Sequence, residues 1–364
     1  MSFKKYRIII AGGGTGGHIY PALAIAEALI HEHKQCEILF VGTSLGLESK
    51  IIPKAGFNLK LIQSGKLNFK GQILNKIKTL FKIPIGIFQS FWIILTFKPH
   101  FVLGVGGYAS APMLLAASLM GCKTALWEPN AHPGMANRIL SRFVSKAFLV
   151  FEDAKKYLKS SEVHVLGMPL RSEIENYSIQ SKKQIDHKMF TILCFGGSQG
   201  SVFLNDQLSD FVLENPDLNN QIKVFHQTGS LDFQRMKTKY SNTSNVEVFE
   251  YIYNMPDYYK QADVLFCRGG ASTLAEAAAF GVVPIVVPLP AADDHQQKNA
   301  EVLVQENAGY MFLQKNFNKD EFKKVILNLV DNEALRKCMS KNLEKIAPKN
   351  SSTKIAQNIL QQIN

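Results

Sequence analysis

What most constrains this chain is a repeating unit: a short apolar run, a turn rich in glycine or proline, then a longer helical pattern. The runs are YRIIIA (6–11), CEILFVG (36–42), HFVLGVG (100–106), KTALWEP (123–129), SKAFLVF (145–151) and EVHVLG (162–167). The pattern restarts at FTILCFGG (190–197) and continues through IKVFHQTG (222–229), VEVFEYI (246–252), ADVLFCRGG (262–270) and VVPIVVPLP (282–290). Runs this apolar are covered on both faces, as in a parallel sheet with helical crossovers. The expected class is α/β, with two doubly wound, Rossmann-like domains facing a cleft and ligands at the carboxyl ends of the strands. At 364 residues the chain is too long for one ordinary core. The polar stretch SEIENYSIQSKKQIDHK (172–188) separates the two series, and the boundary is placed near Gly167-Met168-Pro169. That gives domains 1–167 and 168–364. Helical patterns at roughly 319–331, 332–346 and 350–363 end the chain. The last has Ile355, Ile359 and Ile363 at helical spacing, which suits packing on a domain surface.

Charge is unevenly placed. Residues 1–167 hold 20 Lys and Arg against 8 Asp and Glu, while 168–364 hold 21 against 22. Between Glu48 and Glu128 there are ten lysines and no acid. A basic half suits an anionic partner: nucleic acid, a membrane surface or a phosphorylated substrate. The five cysteines are scattered, with no C-x-x-C pair, which argues for reduced thiols in a cytosolic setting. The start MSFKKYRIII has no cleavable signal pattern.

Gly12, Gly14 and Gly17 in AGGGTGGH satisfy G-x-G-x-x-G. A dinucleotide site also needs an acid at the end of the second strand, and LFVGTS has none. A Walker loop needs G-K-[ST], and no lysine follows. What remains is a turn that a ligand can approach closely, ahead of a helix start. Thr15 can cap that helix or contact the ligand. His18 stands where the local positive potential disfavours imidazolium, so it is a candidate general base, with capping or packing as the alternative.

Two further turns resemble the first. FGGSQGS (195–201) offers backbone amides and Ser198 to phosphate oxygens. CRGGASTLAEAAAFG (267–281) places Ala271, Ser272 and Thr273 in a first helical turn whose exposed amides suit a diphosphate, with Glu276 one turn on to hold a ribose diol. Downstream, Gln296 and Asn299 are candidates to read sugar hydroxyls. Asp293-Asp294-His295 lacks the second ligand cluster that a metal site needs. Glu128, Asn130 and His132 lie in a loop after a strand of the first half. Arg171 lies just past the boundary, where a guanidinium can neutralise a diphosphate.

The acid-free segment puts Ile73, Ile77, Leu80 and Phe81 on one helical face, flanked by Lys76, Lys78 and Lys82. The apolar run Ile83–Phe97 is 15 residues, short of the roughly 20 that span a bilayer. The segment reads either as a basic amphipathic surface resting on anionic lipid or as a core helix with solvated lysines.

Taken together, GGGTGGHIYPALAIAEAL, GVGGYASAP, EPNAHPGMANR, GMPLR, FGGSQGS, EYIYNM, CRGGASTLAEAAAFG and DDHQQKNA resemble, in order and nearly end to end, the MurG family of peptidoglycan N-acetylglucosaminyltransferases. The resemblance implies a GT-B fold whose last helix returns to the first domain. It implies inverting transfer of GlcNAc from UDP-GlcNAc to the 4-hydroxyl of undecaprenyl-diphospho-MurNAc-pentapeptide, without metal or cofactor. It further implies work at the cytoplasmic face of the inner membrane on an anionic surface, and no nucleic-acid partner. Carried over by motif, Thr15, Gly16 and Gly17 line the donor and acceptor site. His18 is the base, with Glu128 as a second catalytic candidate. Asn130 and Gln296 contact the sugar, and Arg171 and Ser198 the diphosphate. Ile252 meets the uracil through its backbone. Ala271, Ser272, Thr273, Leu274 and Ala275 form the phosphate-binding helix start, and Glu276 holds the ribose. Residues 73–82 contact the membrane. The first turn then serves the acceptor diphosphate and the sugar. Two places depart from the family: Trp127 stands where it often has His and Pro129 where it often has Gln, and Gly269 stands where it often has Ser. Other GT-B lipid glycosyltransferases and UDP-GlcNAc 2-epimerases are the alternatives within the fold. A dinucleotide oxidoreductase and a non-enzymatic nucleotide-binding module lie outside it.

Overall fold

The computed structural model describes residues 5–44, 46–65, 73–180, 189–291 and 293–363, with side chains left aside at 73–81 and 177–180. The chain divides into two compact units. The first comprises Met1–Arg171 with Asn350–Asn364, the second Ser172–Lys349.

The first unit is built on seven parallel strands: β1 (Tyr6–Ala11), β2 (Cys36–Gly42), β3 (Asn58–Leu61), β4 (Phe101–Gly104), β5 (Lys123–Glu128), β6 (Lys146–Leu149) and β7 (Glu162–Val165). Their order is β3-β2-β1-β4-β5-β6-β7. The second has six: β8 (Phe190–Phe195), β9 (Ile222–Gln227), β10 (Val246–Phe249), β11 (Val264–Cys267), β12 (Val283–Val286) and β13 (Tyr310–Met311), ordered β10-β9-β8-β11-β12-β13. Both are doubly wound, and each reverses direction once. The reversal falls between β1 and β4 in the first unit and between β8 and β11 in the second. Such a switch point opens a crevice beyond the strand ends, where ligands of this fold bind.

Interior strands carry apolar side chains to both faces because helices cover both. Ile8, Ile9 and Ile10 in β1 are fully buried. In the second unit Ile192 and Cys194 pack on one side with Phe322, Ile326 and Leu329, while Leu193 and Phe195 pack on the other with Leu274 and Leu303. Of the four edge strands, β7 and β10 show in the sequence through their alternating valines, and β3 and β13 do not. Asn58–Leu61 and Tyr310–Met311 are short and largely uncovered, so neither needs an apolar run.

The helix Ser351–Ile363 packs on the helix Gly16–Glu32 of the first unit and buries Ile355, Ile359 and Ile363. Gln357 Nε2 donates to Glu32 Oε2 at 2.9 Å, and Lys123 Nζ donates to the Gln362 carbonyl. The helix Ile73–Phe97 contains the expected membrane face. The side chains of Ile73, Lys76, Ile77, Lys78, Leu80 and Phe81 lie outside the described residues, and Lys82 is exposed. The rest of that helix is two-faced. Gly86, Ser90, Ile93 and Ile94 are buried, and a Cβ on Gly86 would stand 2.1 Å from the Gln63 carbonyl oxygen. Ile85, Phe88, Trp92 and Leu95 form an exposed apolar stripe, with Phe88 74% and Trp92 65% accessible. Among the described residues no helix is long and apolar enough to cross a membrane.

Candidate active site

In the first unit the turn after β1 divides into an inward half and an outward half. The amides of Gly12 and Gly13 donate to the Val41 and Gly106 carbonyls at 2.9 and 3.1 Å. The amide of Gly14 donates to Glu48 Oε2 at 2.6 Å. Glu48, 2% exposed, also accepts the amide and the hydroxyl of Thr43 on Oε1, at 2.9 and 3.0 Å. Three glycines make room for this carboxylate. A Cβ on Gly13, Gly42 or Gly46 would stand 2.3, 2.5 or 1.9 Å from a Glu48 atom. Residues 12–14 are glycine because all three stand at positive φ and a Cβ on Gly12 or Gly13 would clash, and their amides are spent on the protein's own acceptors. The outward half is Thr15, Gly16 and Gly17: Thr15 is the N-cap without a side-chain cap bond, and its carbonyl accepts from His18 and Ile19. The amides of Gly16 and Gly17 precede the first intrahelical bond.

His18 is half-buried beside this turn. Its ring rests on Gly106, where a Cβ would meet Cε1 at 2.7 Å, and meets Trp127 edge-on at 6.5 Å between centroids. Nδ1 is buried without a hydrogen-bond partner. Burial holds the imidazole below its ordinary pKa. The Val105 backbone and the Glu48 charge pull the other way, although Val105 is not in hydrogen-bonding geometry with Nδ1. The ring is thus kept neutral and able to take a proton.

Glu128 is buried, and its oxygens are taken by its own loop. Oε1 accepts the amide and the side-chain amide of Asn130, at 2.9 and 3.1 Å. Oε2 accepts Asn137 Nδ2 at 2.9 Å and the Gly134 amide at 3.3 Å. Burial pushes its carboxyl up, and these bonds pull it down. Glu128 therefore folds the loop that presents Asn130. At the unit's end, the Arg171 guanidinium lies 4.9 Å from the Tyr20 ring centre.

In the second unit three loops meet at the switch between β8 and β11. Ser198 is exposed on the first, between Gly197 and Gly200, both at positive φ. Gln227 Nε2 donates to the Gly197 carbonyl at 3.1 Å, and its Oε1 accepts the Ile252 amide at 2.8 Å. The Ile252 N–H is thus already committed. Arg268, 9% exposed, donates to the Val287 and Pro288 carbonyls at 3.0 and 3.3 Å and to Ser201 Oγ at 2.8 Å. The helix Ala271–Phe280 begins directly after it, with Gly270 as an N-cap that makes no side-chain bond. The amides of Ala271, Ser272 and Thr273 precede its first backbone bond, from Leu274 to the Gly270 carbonyl at 3.0 Å. Leu274 and Ala275 are buried beneath. Glu276, one turn on, accepts the Tyr259 hydroxyl at 3.3 Å.

Gln296 Oε1 accepts the amides of Gly269 and Leu289 at 3.1 and 2.9 Å. Asn299, expected to read sugar hydroxyls, is fully buried and donates to the Gly269 carbonyl at 3.1 Å. Its burial leaves it no access to a sugar, so it anchors the turn from below. His295 and Asp293 pair at 3.4 Å, and among the described residues no three His, Cys, Asp or Glu side chains are grouped to hold a metal.

Sequence reasoning found the turns and missed what holds them: Glu48, Asn137, Gln227 and Arg268. Glu48 carried one usable signal. It is the first acid after the strand that lacked a ribose acid, and it follows Gly42 and Gly46.

Family models place the relationship. The glycosyltransferase family 28 N-terminal domain matches residues 8–149, and the C-terminal domain of the same family matches 191–359. The chain belongs to glycosyltransferase family 28. It is 54% identical, over 99% of its length and the whole of the relative, to a Bdellovibrio bacteriovorus protein. That relative is named UDP-N-acetylglucosamine--N-acetylmuramyl-(pentapeptide) pyrophosphoryl-undecaprenol N-acetylglucosamine transferase. The crystal structure of Acinetobacter baumannii MurG covers 98% of the chain, and 99% of that structure is covered, at a TM-score of 0.82 and 28% identity. A putative UDP-N-acetylglucosamine 2-epimerase from Listeria monocytogenes also superposes, with TM-score 0.68 over 98% of this chain and 95% of its own. At 13% identity it shares the fold alone. As a family 28 enzyme the chain is a glycosyltransferase of GT-B architecture, and the two parallel-sheet units are its Rossmann-like halves.

Proposed function

We propose that this enzyme transfers GlcNAc from UDP-GlcNAc to the 4-hydroxyl of undecaprenyl-diphospho-MurNAc-pentapeptide, with inversion, giving the disaccharide lipid used in cell-wall synthesis. The observation that carries the reading is the end-to-end 54% identity with a transferase of that name. The following roles complete the reading. The acceptor oxygen attacks C1 of the sugar, its proton passes to the His18 imidazole, and the bond from C1 to the UDP oxygen breaks. The charge that develops on UDP needs preorganised donors. The second unit offers them at Ser198 and at the amides of Ala271, Ser272 and Thr273, over the buried Arg268. Glu276 holds the ribose, the Ile252 carbonyl reads the uracil, and Asn130 and Gln296 orient the sugar. Arg171 adds charge against the diphosphate. The acceptor is taken by the first unit at Thr15, Gly16 and Gly17, while the Glu48 carboxylate makes residues 12–14 a poor seat for its diphosphate. Glu128 acts as a positioning group for Asn130.

The acceptor is lipid-linked, and the helix Ile73–Phe97 supports membrane contact at the cytoplasmic face of the inner membrane. Its exposed stripe of Ile85, Phe88, Trp92 and Leu95 continues the lysine-rich turns that begin at Lys76, Lys78 and Lys82. Salt-sensitive binding to anionic vesicles is expected, and charge reversal at the three lysines should abolish it. Protein that ignores such vesicles overturns the membrane reading. Incubation of the purified protein with UDP-GlcNAc and a short-chain lipid-linked MurNAc-pentapeptide should release UDP and form the disaccharide. If neither product appears, the transfer reading is wrong.

A further inference from the structure

Glu48 is the buried charge that the transfer chemistry does not use. Its carboxylate is fixed by Gly14, Thr43 and the space left by Gly13, Gly42 and Gly46. Gly13 in turn donates to Gly106, and Gly106 carries the His18 ring. A stack therefore runs from Glu48 through the Gly13–Gly14 turn to Gly106 and the imidazole. We infer that Glu48 is the positioning residue of the candidate base: it fixes the turn that seats His18 and supplies the stationary negative charge that favours the imidazolium formed on proton transfer.

Several elements pack against His18. The loop after β4 brings Val105 and Gly106, and β5 brings Trp127. The helix after β2 brings the charge of Glu48, which acts at a distance, and His18's own helix brings its positive N-terminal end. Among the described residues Glu48 is the charged side chain acting on the ring, where it opposes burial and the positive helix end. The logic is that of a triad's carboxylate, acting here through a backbone turn and across space rather than by a bond to Nδ1.

The inference rests on the reading of His18 as base, and the experiment separates the two. Glu48→Gln keeps the shape and removes the charge. In the full-length enzyme, the imidazole signal of His18 is identified by NMR from its loss in His18→Asn. That signal should titrate at lower pH in Glu48→Gln than in the unmodified protein. At neutral pH, kcat should fall at least tenfold, with KM for UDP-GlcNAc within twofold. In a His18→Asn background, adding Glu48→Gln should cost less than threefold. An unmoved titration, or full additivity of the two losses, overturns the inference. Should Glu48→Gln not fold, Glu48→Asp keeps the charge and shortens the reach to Gly14. It should lower kcat without raising the donor KM, and a matching rise in donor KM overturns the inference. If His18 is not the base, His18→Asn keeps its turnover, while the titration still reads the pairing with Glu48.

Discussion

The turns after β1 and after β11 look alike as strings, each a few glycines between a buried strand and an alanine-rich helix, yet opposite charges lie beneath them. Under the first is the carboxylate of Glu48, bonded to the Gly14 amide. Near the second is the guanidinium of Arg268, bonded to the Val287 and Pro288 carbonyls and to Ser201. A carboxylate repels a diphosphate and steadies a cation, and a guanidinium does the reverse. The difference teaches that a glycine turn states how closely a chain may approach and leaves open what approaches. In the first unit the visitor to residues 12–14 is the protein itself. In the second, the amides of Ala271, Ser272 and Thr273 precede the first backbone bond of their helix.

The comparison breaks most readily at His18. His18→Ala should lower kcat by about 10²–10⁴-fold, the usual range for a general base, and leave UDP binding, measured by calorimetry, unchanged. Loss of UDP binding instead would move His18 from acceptor chemistry to the nucleotide.

Next come the glycines. Gly13→Ala places a Cβ 2.3 Å from the Glu48 carboxyl carbon at a φ of +145°, and should cost roughly 3 kcal/mol in urea unfolding. Gly270→Ala has φ −69°, and its nearest neighbour would be Thr273 Oγ1 at an ordinary 3.7 Å. It should cost less than about 1 kcal/mol, the loss of a glycine N-cap. Equal costs would erase the distinction between a turn filled from within and one left open.

A further effect concerns acid. Behind the second unit's loops, fully buried His226 bonds Tyr240 and Asn205, and Asn205 bonds the Thr228 carbonyl and Asp232. Burial lowers the His226 pKa from 6.5 to about 3. The unfolded chain therefore binds a proton that the folded one refuses. The stability this gives is whole above pH 6.5 and drains away as pH falls toward 3, by about 1.4 kcal/mol per pH unit. Between pH 6.5 and 5 the expected loss is roughly 2 kcal/mol, and His226→Gln should remove it. A variant that loses as much as the parent over that range would show that His226 does not govern the acid response.

The fold was legible because interior strands have no choice: covered on both faces, each must be an apolar run. At the sheet edges that duty lapses: Glu162–Val165 and Val246–Phe249 still alternate valine, but Asn58–Leu61 is mostly exposed and Tyr310–Met311 is two residues long, so these two escaped. The turns were legible because glycine is uncommon enough to stand out in a cluster. Their supports were not, because each partner comes from elsewhere in the chain. Glu48 lies 34 residues from Gly14, Gln227 25 from Ile252, and Arg268 67 from Ser201. Nothing local distinguishes a glutamate that will be buried under a turn from one that will sit in water. Asn299 shows the same gap in reverse: it reads as a contact for a ligand and folds into a strut.

The helix Ser351–Ile363 has a consequence for how the protein is made. It covers part of the first unit, yet the ribosome reaches it only after Ser172–Lys349 has been synthesised. Until then the helix Gly16–Glu32 waits with the surface that Ile355, Ile359 and Ile363 will occupy. The first half of the enzyme can form its sheet early but cannot be finished early, and a nascent chain stalled short of its last turns would carry an open greasy seam into a crowded cell.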